Sequence, residues 1–257
     1  MLMETPRSLR HEYELYVENE IENYKFAISR SAMLTIGDEA VAQLNAQEQF
    51  NMDELLVWAE VDKIIRKRLR IPAFRTWQRR RIKLIEEYRR PENLGLRPDG
   101  VLAREMQFAA ESRVLVAGAG FQKTALYLAA HGCDVTALDV EPDNVERVMN
   151  AAQEAGLTGK LQAHMTGIGS WLPESELTAV VCDPAAFAGL SPNERDRAIE
   201  VLQSATRDGG IHLVETIIAG ENAITLTELR KRYKGWRVSV EEDAGSSKTF
   251  MARKMAS

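Results

Sequence analysis

The sequence predicts a doubly wound α/β fold: a mostly parallel seven-stranded sheet with an antiparallel last strand, plus an N-terminal all-helical module. Three observations predict this class. Short apolar runs alternate with helical patterns after residue 110, as in parallel sheets with helical crossovers. The first ninety residues hold helix starts but no strand alternation. The last two apolar runs are separated only by AGSS, and so short a loop allows only an antiparallel pair.

Seven apolar segments are the predicted strands. They are short runs rich in Val, Ile and Leu without strict alternation, which is typical of strands covered on both faces. Helix starts at Pro142, Ser191 and Thr225 and a helix stop at Gly156 lie between them. The predicted strands are residues 113–117, 134–139, 161–165, 178–183, 211–217, 236–243 and 248–254.

The N-terminal region predicts helices only. The first spans His11 to Ser29. Two more begin near Thr35 and Asn51, where a capping side chain precedes an acid by three residues. A break at Pro72 separates the third helix from a fourth, which ends at Pro91. The Pro- and Gly-containing segment PENLGLRPDG follows. We therefore expect a helical module over residues 1–95 and an α/β domain over 96–257.

Charge is segregated along the chain. Residues 1–62 carry 13 acids and 4 bases, whereas residues 63–91 carry 12 bases and 2 acids. A solvated or internally paired basic face is favoured, because an acidic segment is next to it. A nucleic-acid surface, an anionic substrate site and a membrane surface stay open. A homodimer in which acidic and basic segments meet is a further possibility.

Several classes of protein are excluded by composition. Apolar residues make up 45% and charged residues 28% of the 257 residues, as in soluble globular proteins. The sequence contains no run of 18 apolar residues, so no membrane span is predicted. The acidic start is unlike a signal peptide, so we expect a cytoplasmic protein. The two cysteines and four histidines lack metal-ligand spacing, so no metal site is predicted. We expect Cys133 and Cys182 to be buried thiols, and His164 and His212 to be core residues.

A glycine-containing turn follows the first strand. Gly118 and Gly120 let backbone amides approach a ligand, and Asp139 ends the next strand 19 residues later. In an open α/β sheet, such an acid accepts hydrogen bonds from ribose hydroxyls. The pattern predicts a nucleoside cofactor. A dinucleotide site usually has its third glycine at position 123, where this chain has Lys123. Because a lysine could instead contact a pyrophosphate, this difference does not distinguish a dinucleotide from S-adenosylmethionine.

The end of the chain favours the second cofactor. Five parallel strands, the helix ITLTELRKRYKG and the final hairpin resemble the class I S-adenosylmethionine-dependent methyltransferases, which have a Rossmann-like fold. The strings ALYLAAHGCDVTALDVEPDNVERV, GGIHLVETI and ELRKRYKGWRVSVEEDAGSSKTFMARK are most similar to small-molecule methyltransferases of the tellurite-resistance (TehB-like) type. This resemblance covers residues 110–255.

The resemblance implies roles for particular residues. The turn over Ala117, Gly118, Ala119 and Gly120 would face the methionine part, Asp139 the ribose, and Val140, Thr166 and Gly167 the adenine. Asp183 and Phe187, in the loop DPAAF, would border the methyl group and acceptor. Asp183 is a candidate base or orienting group, with loop capping as the alternative. The N-terminal helices would form a lid carrying Tyr16, Tyr24 and Arg75.

The chain departs from the family pattern at several positions. Val116 replaces an acid, Gln122 stands at a common third glycine, residues 166–169 lack an acid, and the AGSS loop lacks a histidine. The leading hypothesis is a small-molecule methyltransferase acting on N, O or S. An RNA methyltransferase using residues 63–91 and DPAAF, which is similar to DPP-type loops, is the second. A non-catalytic nucleoside-binding protein is the third.

Overall fold

The computed structural model describes residues 8–46, 53–106, 112–118, 121–218, 224–242 and 247–256. The chain forms two compact units, Met1–Arg80 and Arg81–Ser257. The division between them falls inside a helix, upstream of the PENLGLRPDG segment. Each unit has its own hydrophobic core.

The N-terminal unit is helical in its described residues. It contains α1 (Leu9–Ala27), α2 (Arg30–Ala46), α3 (Glu54–Arg68) and the first half of α4 (Phe74–Tyr88). Its core includes Ile36, Ile64 and Ile65. Tyr13 contacts the rings of Tyr16, Phe74 and Trp77 with centroids 5.4 to 6.4 Å apart, so aromatic packing joins α1 to α4.

One predicted helix start is wrong. α2 begins at Arg30, five residues before Thr35, because Ser29 Oγ accepts a hydrogen bond from the Ala32 amide and so acts as the cap. Thr35 Oγ1 instead donates to the Ser31 carbonyl inside the helix. The predicted start at Asn51 lies outside the described residues.

The second unit contains the predicted seven-stranded sheet. The strand order is β3-β2-β1-β4-β5-β7-β6. β7 is antiparallel to both of its neighbours, and the other pairs are parallel. The mostly parallel, doubly wound sheet is thereby confirmed. The strands are β1 (Arg113–Ala117), β2 (Asp134–Asp139), β3 (Leu161–Met165), β4 (Leu177–Cys182), β5 (Thr206–Ile218), β6 (Arg237–Glu242) and β7 (Ser247–Arg253).

Helices cover both faces of the sheet, which explains its continuous apolar strands. Val114 and Val116 pack in one core, and Leu115 and Ala117 in the other. The predicted signals at Pro142, Gly156, Ser191 and Thr225 are confirmed, the last two as capping boxes. The helices are α5 (Val101–Glu105), α6 (Phe121–Ala130), α7 (Pro142–Ala155), α8 (Pro192–Ala205) and α9 (Leu226–Arg232), with 3-10 helices at Pro91–Leu94 and Pro184–Phe187.

Two features of the sheet differ from the prediction. β5 begins at Thr206 rather than residue 211, and a register shift against β4 accommodates its extra residues. His164 was expected in the core but is exposed, because β3 is an edge strand whose last two side chains lie outside the core. His212 is buried, as predicted.

Several arginines of the basic segment, residues 63–91, form hydrogen bonds or ion pairs with other residues of the chain. Arg66 donates to the Tyr13 hydroxyl and Arg68 pairs with Glu39 in the N-terminal unit. In the second unit, Arg81 donates to the carbonyls of Ala155 and Gly156 at 3.1 and 2.8 Å, and Arg89 to Ala130 at 2.8 Å. These carbonyls end α7 and α6, where the helix dipole favours a positive charge.

Within the described ranges, no helix is both long and apolar enough to cross a membrane. The same residues contain no group of three or more His, Cys, Asp or Glu side chains placed to hold a metal ion. Cys133 and Cys182 are free and buried, as predicted. Burial raises the pKa of the Cys133 thiol to about 11 and raises that of Cys182 further, so both thiols are protonated at neutral pH.

Candidate functional site

The candidate site lies at the carboxyl edge of the parallel strands, where ligands bind in open α/β sheets. Ala117 of β1 is paired with Cys182 of β4, so the next residues, Gly118 and Asp183, are neighbours. A Cβ atom on Gly118 would lie 2.7 Å from the Asp183 Cγ atom. Gly118 also has a φ of 109°, which L side chains rarely adopt. Both close packing and backbone conformation therefore require glycine here.

Asp183 caps the short helix that follows it. Its Oδ1 atom accepts a hydrogen bond of 2.8 Å from the Ala185 amide at the start of the Pro184–Phe187 helix. Of the two roles left open by the sequence, the structure therefore displays the capping role. The same carboxylate borders Gly118, so it also shapes the wall of the site.

Asp139 is held by two hydrogen bonds at the end of β2. Oδ1 accepts from the Glu141 amide at 2.8 Å, and Oδ2 accepts from the Asn144 side chain at 3.0 Å. A carboxylate oxygen has two acceptor sites. Each oxygen of Asp139 therefore retains acceptor capacity for one ribose hydroxyl while its orientation is fixed.

Two exposed apolar side chains border this acid. Val140 is 65% exposed and Met165 is 64% exposed, and Met165 pairs in register with Asp139 across β2 and β3. A Cβ on Gly167 would make ordinary contact with Val140 Cγ1, at 3.6 Å. Val140 and Met165 thus present apolar side chains near Asp139 that suit one face of a purine, and Thr166 and Gly167 follow Met165 in the chain. The sequence missed Met165, since only the strand pairing places it here.

A pocket of about 240 Å³ adjoins the same edge. Residues 91–103 form one wall, and Tyr127, Glu215, Thr216 and Thr249 contribute polar groups. Glu215 follows Val214, which pairs with Cys182, so Glu215 in β5 lies level with Asp183, the residue after β4. Thr216 has a φ of 59° at an irregularity of the β5–β7 ladder. The sequence carried no signal for this pocket, because β5 resembles an ordinary buried strand.

The remaining predicted residues are not all brought to this edge. Ala119 and Gly120 lie outside the described residues. Tyr16 stacks on Trp77, and Tyr24 packs on the core of the N-terminal unit, where Arg75 is exposed. Their role in a lid stays a prediction. Phe187 is only 2% exposed and packs in the core beneath the site, so its ring does not border an open cleft.

Lys123 does not point across the glycine turn towards Asp139. Its ammonium group lies 3.4 Å from the position of a Cβ on Gly95, in the segment that follows the Pro91–Leu94 helix. The side chain therefore extends along the wall formed by residues 91–103.

The residues at this edge fit S-adenosylmethionine. Asp139 has acceptors for both ribose hydroxyls, and Val140 and Met165 offer an apolar surface for the adenine. Gly118 places no side chain at the position directly after β1. The pocket that Glu215 lines lies in the same unit.

Comparisons with known proteins show the family and the fold. The family model of tellurite resistance protein TehB matches residues 100–250. The crystal structure of TehB from Haemophilus influenzae is 18% identical, with a TM-score of 0.52 over 66% of this chain and 67% of that one. The 4+2 cyclase SpnF is 17% identical, with a TM-score of 0.52 over 61% of this chain and 79% of that one. No curated protein matches the sequence. Since fold alone does not define the reaction, the functional argument rests on the site and the family.

Proposed function

Because the chain belongs to the TehB family and so is an S-adenosylmethionine-dependent methyltransferase, we propose that it methylates a nitrogen, oxygen or sulfur atom of a small molecule. The observation that carries this proposal is the small pocket lined by Glu215 and Tyr127. Drug-sized ligands occupy pockets of about 300 to 1,000 Å³, so a pocket of about 240 Å³ suits a compact acceptor. A site for a flipped RNA base needs a neighbouring surface for the strand as well.

The protein's contribution to the transfer is mainly alignment. When bound, S-adenosylmethionine supplies a methyl group on a positively charged sulfur, which is already activated for displacement. Asp139 holds the ribose, and Val140 and Met165 support the adenine. Gly118 allows the main chain to approach the ligand closely. Holding the acceptor about 3 to 3.5 Å from the methyl group removes much of the entropic barrier.

The need for a base depends on the acceptor. A thiolate or free amine attacks unaided, whereas a hydroxyl gains from proton removal. Asp183 already accepts a hydrogen bond from its own loop. Glu215 lines the pocket wall, and we propose this carboxylate as the group that accepts a proton from the acceptor, with Asp183 as an orienting group.

Binding of the cofactor is tested by titration calorimetry with S-adenosylhomocysteine. We expect micromolar affinity in the wild type and loss of measurable binding in Asp139→Ala. Asp134→Ala is the matched control, since Asp134 begins the same strand and pairs with Lys160 at 2.7 Å. Equal losses in both variants, or binding of NADH in place of S-adenosylhomocysteine, would contradict the proposal.

The acceptor is tested with a panel of thiols, amines and phenols and mass-spectrometric detection of the methylated product. We expect one class to react, and Glu215→Gln to slow transfer to hydroxyl acceptors more than to thiols. An RNA substrate predicts a steep loss of RNA affinity with rising salt. The arginines that bind internal groups, Arg66, Arg68, Arg81 and Arg89, weaken that alternative. Cofactor binding without transfer to any acceptor would favour a non-catalytic protein.

A further inference from the structure

We propose that Asn144 and Gln122 are positioning residues for Asp139, and that together they increase the affinity with which Asp139 binds the ribose of the cofactor. This inference rests on the proposed binding of S-adenosylmethionine at this edge. Its basis is a continuous series of hydrogen bonds from α6 through α7 to the carboxylate. Both side chains lie outside the sequence pattern of Gly118, Gly120 and Asp139 that predicted the cofactor site.

The contacts run in one direction. The Gln122 side-chain amide lies 3.3 Å from both the Oδ1 atom and the backbone carbonyl of Asn144, and donates to them. Asn144 Nδ2 then donates to Asp139 Oδ2 at 3.0 Å. An asparagine amide has one acceptor end and one donor end. Gln122 requires the acceptor and Asp139 requires the donor, so only one orientation of the Asn144 amide satisfies both.

Asp139 is therefore fixed on both oxygens. The Glu141 amide holds Oδ1 from the loop, and Asn144 holds Oδ2 from the first turn of α7. Hydrogen bonds to a charged carboxylate are stronger than those between neutral groups. Losing Asn144 would free one oxygen to rotate, and the ribose hydroxyls would then meet a carboxylate that has no fixed direction.

Gln122 is informative because of its position. Gln122 is the second residue of α6. Members of the family commonly have a glycine at this position, and a glycine has no side chain that could reach α7. Here the glutamine links the helix that follows the glycine turn to the helix that follows the ribose acid. The two parts of the cofactor site are thus joined through side chains as well as through strand pairing.

The test is calorimetry with two ligands, S-adenosylhomocysteine and its 2′,3′-dideoxyribose analogue. In the wild type, removing the hydroxyls should weaken binding. Asn144→Ala should weaken binding of S-adenosylhomocysteine about 10-fold or more while changing affinity for the dideoxy analogue little. Gln122→Met, which keeps the length but removes the donor, should give a smaller loss in the same direction.

Asn150→Ala is the matched control, because Asn150 is an exposed asparagine on the same helix; it should leave both affinities unchanged. If Asn144→Ala lowers both affinities equally, or Gln122→Met leaves both unchanged, the positioning role is overturned. If Asn144→Ala unfolds, Gln122→Met decides alone. Failure of the wild type to bind S-adenosylhomocysteine would instead contradict the proposed function.

Discussion

Gly118 shows how one residue is constrained twice. Its positive φ excludes most side chains, and the Asp183 carboxylate occupies the space that a Cβ would need. The sequence predicted the first constraint, because a glycine after a strand marks a tight turn. The second depends on β4 lying beside β1 and was visible only in the structure.

Replacing this glycine separates the two constraints. Gly118→Ala should lower the free energy of unfolding by about 1 to 2 kcal/mol for the left-handed backbone and more for displacing Asp183. Gly189→Ala is the matched control, since Gly189 has a φ of 76° but no atom within 4 Å of an added Cβ. Urea denaturation measures the difference. Equal losses in the two variants would show that the Asp183 contact is unimportant.

His212 illustrates a buried polar residue that serves stability. Thr206 Oγ1 donates to the Leu202 carbonyl, so it accepts from His212 Nε2 at 2.7 Å, and the Tyr233 hydroxyl donates to Nδ1 at 2.7 Å. The neutral ring is therefore fully hydrogen-bonded. Burial, and secondly the charge of Lys254, lowers the pKa of His212 from 6.5 to about 3.

This depressed pKa predicts a pH dependence. Between pH 6.5 and 3 the unfolded state binds a proton that the folded state does not, so stability falls as the pH falls through this window. The slope from this residue approaches about 1.4 kcal/mol per pH unit. His212→Asn should remove that slope from the denaturation profile, and the exposed His164→Asn should keep it. An unchanged profile in His212→Asn would contradict the assignment.

At the scale of elements, the helix starts after the first ninety residues were the most predictable features. Ser191 and Glu194 form a capping box in which the Glu194 amide donates to Ser191 Oγ and the Ser191 amide to Glu194 Oε2. All four groups lie within four residues, so the signal is local. Thr35 with Asp38 gave the same pattern inside α2, because Ser29 had already capped that helix.

The capping box can be tested within one helix. Ser191→Ala should cost about 1 kcal/mol of stability, because the amide loses its acceptor. Ser204→Ala, near the end of α8, should be neutral or slightly stabilising, since alanine is the better helix former and Ser204 Oγ only donates back to the Glu200 carbonyl. Chemical denaturation measures both. A loss in Ser204→Ala as large as that in Ser191→Ala would contradict the expectation.

At the scale of the whole molecule, part of the basic segment has a structural role in the α/β unit. Leu84, Ile85 and Tyr88 pack on the core beneath α6 and α7, and Arg81 binds the carbonyl end of α7. The sequence showed that this segment was basic and amphipathic. It could not show which carbonyls Arg81 and Arg89 bind, because those partners lie 41 to 75 residues away.

Removing the Arg81 contacts should destabilise the α/β unit. Arg81→Met keeps much of the apolar stem but loses two charge-assisted hydrogen bonds, and should cost about 1.5 to 3 kcal/mol. Lys83→Met is the control, because the Lys83 side chain is 77% exposed and pairs with Glu87 at 3.6 Å; it should change stability by less than about 0.5 kcal/mol. Thermal unfolding compares the two variants, and equal melting temperatures would refute the role of Arg81.

The sequence by itself determined the order of strands and helices along the chain, the seven-stranded class, and the positions of Gly118 directly after β1 and Asp139 at the end of β2, because periodicity, caps and turn residues act within a few positions. Only the tertiary structure placed Met165 beside Asp139, joined Gln122 to Asn144, and formed a pocket beside Glu215. It also exposed His164 at the sheet edge. The physical reason is that these arrangements follow from which strands become neighbours, and that choice depends on burial across the whole sheet rather than on any local pattern.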